Sequence, residues 1–396
     1  MKEKQSRGAL RRTLALGVGV AVFWGLASAG GGIQLPSLWK SGDGSALAQA
    51  LVDTEVGAFQ QDEPSLWTQM VTSELPLCAS EDEAEEEAAQ AQLEAMEADA
   101  AFTAPAGEPL EETPAEEEEA PAEETQETPV DDGGAVRQTI TANSNTVSGG
   151  GVEVNNGTQG ITVDPAALAS SVLTQTIAPA SEGPQILIMH THGSEAYTMV
   201  GDDVYVETDT SRTDDPNYNM IRVGEEMKAV FESMGFSVIH DTTLYDYPNY
   251  TGSYTRSLAG IQSMLEQYPS ISVVLDVHRD ALIASDGTVY KAVTQVNGED
   301  VAQVMLVVGT NDGGLTHPGW QDNLNLAAHI QLGMTSIEPT LARPINLRSQ
   351  RFNQHLTPCS LLVEVGTSGN TLQEAIRGAR YFAQAAGTVY QSLLTG

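Results

Sequence analysis

The chain has 396 residues and carries 54 acidic against 18 basic side chains, a formal charge of −36. From residue 182 to the end there are 24 acids and 11 bases with no basic stripe, which argues against nucleic acid as a partner. Two cysteines, Cys78 and Cys359, are too few for a disulfide framework and do not fix a redox compartment.

Residues 1–12 hold five basic groups and one acid, and an uncharged run over 13–39 follows, containing LALGVGVAVFWGLASA. This is the pattern of an export signal or of an anchor whose basic end stays in the cytoplasm. The run can cross a bilayer, which takes about 20 residues. Ala27-Ser28-Ala29 resembles a signal-peptidase site. A single transmembrane helix with the rest of the chain outside the cytoplasm is the expectation. Residues 40–80 form a membrane-proximal segment in which Leu66, Trp67, Met70, Val71, Leu75 and Leu77 could make a small helix.

Residues 81–160 read as a disordered linker. Residues 81–132 hold 21 acids and no Lys or Arg, so the segment repels itself and has too little apolar surface to offset its conformational entropy. Residues 130–160 continue it with Gly, Asn, Ser and Thr. A folded α/β domain is expected over 161–396.

Within that domain apolar runs alternate with helical patterns. Strands are expected at 185–190, 236–240, 271–277, 288–295, 302–309 and 360–365, with helices at 219–234, 254–268, 323–340 and 372–394. The stretch at 288–295 alternates and reads as nearer an edge. This order predicts a single mixed, mostly parallel sheet with helices on both faces.

Polar residues stand where three of these apolar runs end: His190, His192 and Glu195 after QILIM, His278-Arg279-Asp280 after SVVLDV, and Glu364 within LLVEVG. Parallel strands present their carboxyl ends along one edge, so the three groups can converge. Catalytic zinc takes three protein ligands, usually His and carboxylate, and leaves a position for water; a nearby Glu can then move the proton. A buried Glu364 needs a partner or a catalytic task, and Arg348 or Arg351 could pair with it. His240 and Asp215 are weaker candidates, explained by a strand end and a turn. His317 and His329 read as surface residues, and His355 as a residue able to line the cleft. Ser194 lacks a nucleophile elbow and Cys359 lacks an activating arrangement, so a Ser or Cys hydrolase fits less well.

The blocks HTHGSEAY, RTDDPNYNMIRVG, GFSVIHDTT, YTRSL, LDVHRDA, RFNQHL and LLVEVGTSGNTLQEA, in this order over about residues 185–386, resemble the stage II sporulation protein P family of endospore-forming bacteria. The resemblance implies a zinc-dependent N-acetylmuramoyl-L-alanine amidase fold and activity, with an endopeptidase activity also ascribed to the family. It further implies peptidoglycan as substrate during engulfment, a lytic transglycosylase partner and a membrane scaffold. His192 and His278 then match zinc ligands and Glu364 the catalytic glutamate. The third ligand stays open: the region 213–217 offers Asp214 and Asp215 but no Glu, so Glu195 is favoured, with His190, Asp215 and His240 competing. Arg279 and Arg351 would hold substrate carboxylates, orient Glu364 or serve as structural ion-pair members. The rival expectation is an inactive wall-binding module of the same fold that recruits other hydrolases.

Overall fold

The structure, a computed structural model, describes residues 134–395. The basic end, the apolar run, the membrane-proximal segment and the acidic spacer lie outside the described residues. Among those described, no helix is long and apolar enough to cross a membrane.

The first three strands, β1 (Val136–Gln138), β2 (Thr146–Gly149) and β3 (Val152–Asn156), fall where a linker was expected. Val152 and Val154 are fully buried in the main core, and β3 runs parallel to β10 (Ile345–Arg348) with Val154 opposite Ile345. Apolar alternation through Val152, Glu153 and Val154 is the strand signal, hidden in composition by the Gly and Asn of the adjoining turns. The folded unit therefore begins well before residue 161.

The remaining elements in chain order are α1 (Pro165–Ala169), β4 (Ile186–Met189), α2 (Met220–Ser233), β5 (Val238–His240), α3 (Ser253–Gln267), β6 (Val273–Asp280), β7 (Tyr290–Val296), β8 (Glu299–Ala302), β9 (Val304–Gly309), α4 (Trp320–Ile337), β10, β11 (Cys359–Thr367) and α5 (Leu372–Gln391). Eight strands form one mixed sheet in the order β2-β3-β10-β9-β11-β6-β4-β5. Only β2 with β3 and β9 with β11 pair antiparallel. The expected edge strand at 288–295 is instead β7, the middle of a separate sheet β1-β7-β8. Asn297 and Gly298, both at positive φ, close the β7–β8 hairpin, a turn that Asn-Gly favours.

Alternate residues of the central strands face opposite layers, as the period of two requires. Ile186, Ile188, Val273, Leu275 and Val277 belong to the core shared with α2, α4 and α5, whereas Leu187, Met189 and Val274 pack with Ile261 of α3. Each such side chain contributes about 1.5–3 kcal/mol on burial. Helix ends are fixed locally: Asn219 caps α2 by accepting from the Ile221 amide, and Thr371 with Glu374 forms a capping box on α5. Parallel β4, β6 and β11 thus deliver their carboxyl ends side by side, with Met189 level with Asp276 and Glu364 level with His278.

Candidate active site

His192, Glu195, His278, Arg279 and Glu364 line one cavity of about 100 Å³, together with Tyr254, Asn346, Arg348, Phe352 and Leu362 among others. The β6 strand runs on to Asp280, so His278 and Arg279 lie within the ladder rather than beyond it.

His278 is fixed by Asp276, two residues earlier on the same face of β6. Its Nε2 stands 2.7 Å from Asp276 Oδ1, while its Nδ1 is 3.8 Å from Glu195 Oε2. Asp276 is itself held, accepting from the Thr191 amide at 2.8 Å and from the Thr191 hydroxyl at 2.7 Å. Burial works against a charge on His278, but the Asp276 carboxylate, with Glu195 and Glu364 behind it, holds the imidazolium up to about 9. His192 is stacked on Tyr250, with ring centres 4.7 Å apart, and its Nε2 lies 3.3 Å from the Tyr250 hydroxyl. Its Nδ1 is buried without a hydrogen-bond partner. Burial, then His278 and Arg212, push His192 well below the ordinary histidine range.

Glu364 is partly buried, and its Oε2 is buried without a hydrogen-bond partner. Burial pushes its carboxyl up to about 8 against the pull of His278, and Asp280 and Glu195 push the same way as burial. Its proton affinity is thereby brought towards neutrality, the range in which one carboxyl can both take and give a proton.

Glu195 accepts from Arg212 Nη2 at 3.1 Å and from the Arg279 amide at 3.3 Å. Arg212 also bonds Asp246 at 2.7 Å, and Asp246 in turn accepts from the Ser194 hydroxyl at 2.6 Å. Arg279 donates to the carbonyls of Ala196 at 2.9 Å and Ser211 at 3.0 Å. It faces Glu195 rather than Glu364, with Nη1 4.0 Å from Glu195 Oε1.

Four residues read as site candidates, His190, His240, Arg351 and Asp215, stand elsewhere. His190 Nδ1 donates to the Val277 carbonyl at 2.8 Å, which leaves its Nε2 to accept from His240 Nε2 at 2.9 Å. His240 Nδ1 in turn lies 3.2 Å from Glu225, so the pair runs away from the cavity. Arg351 donates to the Thr316 carbonyl and is not part of the cavity wall. Asp215 stabilises a turn by accepting from the Asn217 amide. Ser194 is bound to Asp246, and burial pushes the Cys359 thiol up to about 12, so neither is poised as a nucleophile.

Donors for a metal can be tested against these positions. Two rings on one tetrahedral zinc, with Zn–N about 2.0–2.1 Å and each nitrogen about 1.1 Å from its ring centre, have centres about 5.2 Å apart. The His192 and His278 ring centres are 5.2 Å apart at 90°. Each ring has its second nitrogen occupied by Tyr250 or Asp276, leaving Nδ1 for an ion. The third donor is less ready, because Glu195 is turned to Arg212; among the described residues no group of three or more His, Cys, Asp or Glu side chains is assembled as a metal site. The two histidines and one carboxylate nevertheless have the donor chemistry that zinc takes.

A family model described as stage II sporulation protein P matches residues 68–387. A stage II sporulation protein P of Bacillus subtilis (strain 168) is 25% identical over 216 residues, covering 52% of this chain and 51% of the relative, so the chain spans about half the length of that curated protein. Among solved structures, the CwlD amidase from Clostridioides difficile in complex with the GerS lipoprotein is 17% identical, covering 53% of this chain and 99% of that one with a TM-score of 0.34. The catalytic domain of CwlV, an N-acetylmuramoyl-L-alanine amidase from Bacillus (Paenibacillus) polymyxa, is 13% identical with a TM-score of 0.30, covering 53% and 99% of the two chains.

Proposed function

This chain belongs to the stage II sporulation protein P family, and on that premise we propose that it is a zinc-dependent peptidoglycan hydrolase cleaving the amide between N-acetylmuramic acid and L-alanine. The observation that carries the reading is Glu364, whose buried Oε2 has no partner, in the same cavity as His192 and His278. Such an acid is costly to keep unless it has work to do in that cavity.

His192 and His278 would hold the zinc through Nδ1, with Glu195 as the carboxylate within reach. A bound zinc supplies Lewis acidity, acidifying water and polarising the amide carbonyl. Asp276, accepting from His278 Nε2, fixes that ring with Nδ1 towards the cavity, and Tyr250 stacks against His192. Glu364 takes the proton of the attacking water at Oε2 and delivers it to the departing L-alanine nitrogen; a carboxyl with a proton affinity near neutrality serves both directions. Phe352 and Leu362 give the cavity an apolar wall, while Asn346 and Arg348 offer polar groups to the substrate.

Zinc-loaded full-length protein incubated with purified sacculi should release stem peptides carrying new L-alanine amino termini, read by mass spectrometry. Glu364→Gln should slow release by about 10²–10⁴. The reading is lost if the zinc-loaded protein releases none, or if the variant releases them as fast. The hold of Arg212 on Glu195 favours a second reading, an inactive wall-binding module. That module would bind sacculi and generate no new termini.

The basic end and apolar run of residues 1–39 support a membrane-anchored enzyme acting outside the cytoplasm, with residues 81–132 as a solvated tether. Recovery of the full chain in the soluble fraction after cell lysis would oppose the anchor.

A further inference from the structure

The support behind His278 extends further than Asp276. Asp276 Oδ1 stands 2.7 Å from His278 Nε2, and Asp276 Oδ2 accepts from the Thr191 hydroxyl, also at 2.7 Å. Behind Thr191 the row of polar groups continues. Thr191 Oγ1 lies 2.8 Å from Ser257 Oγ on α3, and Ser257 Oγ lies 3.3 Å from Asn353 Nδ2 in the turn that precedes β11. All of these side chains are buried. Polar groups so placed are held by one another, since water does not reach them.

The available protons give the row a direction. An ionised carboxylate only accepts, so the single proton of the Thr191 hydroxyl goes to Asp276. Thr191 Oγ1 then has none left for Ser257, and the Ser257 hydroxyl donates to it. The Tyr254 carbonyl, 3.2 Å from Ser257 Oγ, is the more distant acceptor and is supplied instead by Asn353 Nδ2 at 2.9 Å. A carbonyl has to face the amino end of the Asn353 amide, and the second proton of that group points to Ser257. The bonds therefore run one way, from Asn353 through Ser257 and Thr191 to Asp276. With the Thr191 amide donating to Oδ1 at 2.8 Å as well, both oxygens of Asp276 are fixed.

The row begins at the wall of the cavity. Tyr254 and Phe352 both line it, with ring centres 6.2 Å apart. Phe352 and Asn353 take left-handed backbone angles, with φ of 49° and 59°, a conformation that Asn tolerates better than most residues. Asn353 thus follows one wall residue in the chain and grips the carbonyl of the other. A helical serine ordinarily satisfies itself on a carbonyl of its own preceding turn. Ser257 instead stands closer to Thr191, on a different element, and so joins the aromatic wall to the strand that carries His278.

We propose that Ser257 and Thr191 are positioning residues for His278, holding its ring through Asp276 with Nε2–H on the carboxylate and Nδ1 towards the cavity, in register with the wall at Tyr254 and Phe352. Neither residue touches the substrate. Their consequence for catalysis rests on the reading of His278 as a zinc ligand, whereas their hold on the ring is a property of the metal-free protein.

The test therefore has a metal-free arm and a zinc arm. Full-length protein labelled with nitrogen-15 at its histidine rings, without metal, should show by NMR a His278 Nε2 proton protected from exchange with water. Thr191→Val keeps the shape of the side chain and removes the donor to Asp276, and Ser257→Ala removes the donor to Thr191. Each variant, shown folded by circular dichroism, should speed that exchange about tenfold. Thr191→Ser, which restores the hydroxyl, should keep the wild-type rate. Zinc affinity, read by chelator competition, should fall about tenfold in Thr191→Val and Ser257→Ala and stay within about twofold in Thr191→Ser. A purely structural role would lower urea midpoints while leaving proton exchange and zinc affinity as in the wild type, and that result overturns the proposal. So does a wild-type proton as labile as that of a free imidazole, or a Thr191→Ser variant that behaves as Thr191→Val does. A wild type that binds no zinc yet loses its protected proton on Thr191→Val removes the zinc reading and upholds this one.

Discussion

Glu364 is the ladder partner of His278: the parallel strands β11 and β6 set the two residues side by side on one face of the sheet. A carboxyl pushed up to about 8 by burial therefore neighbours an imidazole pushed up to about 9 by Asp276. The sheet, rather than a loop, fixes their separation, which is the rigid support a preorganised site requires.

Asp276→Asn should expose how much of the site depends on the carboxylate behind His278. Asparagine can still accept one bond but no longer raises the basicity of the ring through a negative charge behind it, so zinc affinity and peptide release should both fall by about 10–100-fold. Chelator competition on the purified variant checks the first and the sacculus assay the second. Unchanged zinc affinity would show that Asp276 does not orient the ring.

Gly224→Ala has two opposed effects and a definite sign. In an open helix the change would stabilise by about 1 kcal/mol. Here a Cβ on Gly224 would stand 2.6 Å from both His190 Nε2 and His240 Nε2, wedging apart their bond. Overpacking of this kind costs about 1–3 kcal/mol, so the midpoint of urea unfolding should drop. A rise would mean that α2 moves freely off the sheet.

Acid should weaken the fold through the second histidine pair. Burial lowers both His317 and His355 to about 4, with His355 and Arg351 adding to the effect on His317 and Arg351 to that on His355. Both rings are easier to protonate in the unfolded chain, near 6.5. Their stabilising contribution is complete above that value and is lost as the pH falls towards 4. Urea midpoints from pH 7 to pH 4 should decline more in the wild type than in H317Q/H355Q. Parallel declines would place the acid sensitivity elsewhere.

Cys359 should be inert in the native protein. It is fully buried and burial raises its thiol to about 12, so iodoacetamide at pH 8 should alkylate it only after denaturation. Peptide mapping of native and unfolded samples distinguishes the cases. Rapid native labelling would reopen a thiol mechanism.

Much of the site was legible because polar residues interrupting an apolar strand are conspicuous. His192, His278 and Glu364 could be read from QILIMHTH, LDVHRD and LLVEVG, and the parallel sheet that aligns them follows from alternating strands and helices. Asp276 was hidden for the same reason: inside a strand buried on both faces, alternation no longer separates inward from outward residues. Arg212, Asp246 and Tyr250 reach the site from long loops, and no local period announces such contacts. Arg351, which the resemblance places with Arg279 as a substrate-holding, Glu364-orienting or ion-pair residue, donates instead to the Thr316 carbonyl and lies outside the cavity wall. His317, beside Pro318, reads as a surface residue, yet it is buried against the segment that carries His355.

The bridge from Arg212 to both Glu195 and Asp246 makes ion capture a contest between two cations for one carboxylate. Arg212 holds Oε1 of Glu195 while Oε2 faces His278, so a metal taking Oε2 would share the carboxylate with the guanidinium. The positive charge of Arg212, tied down by Asp246, would then oppose the incoming ion. Apparent metal affinity would be set by that repulsion within the protein as well as by the strength of the new bonds.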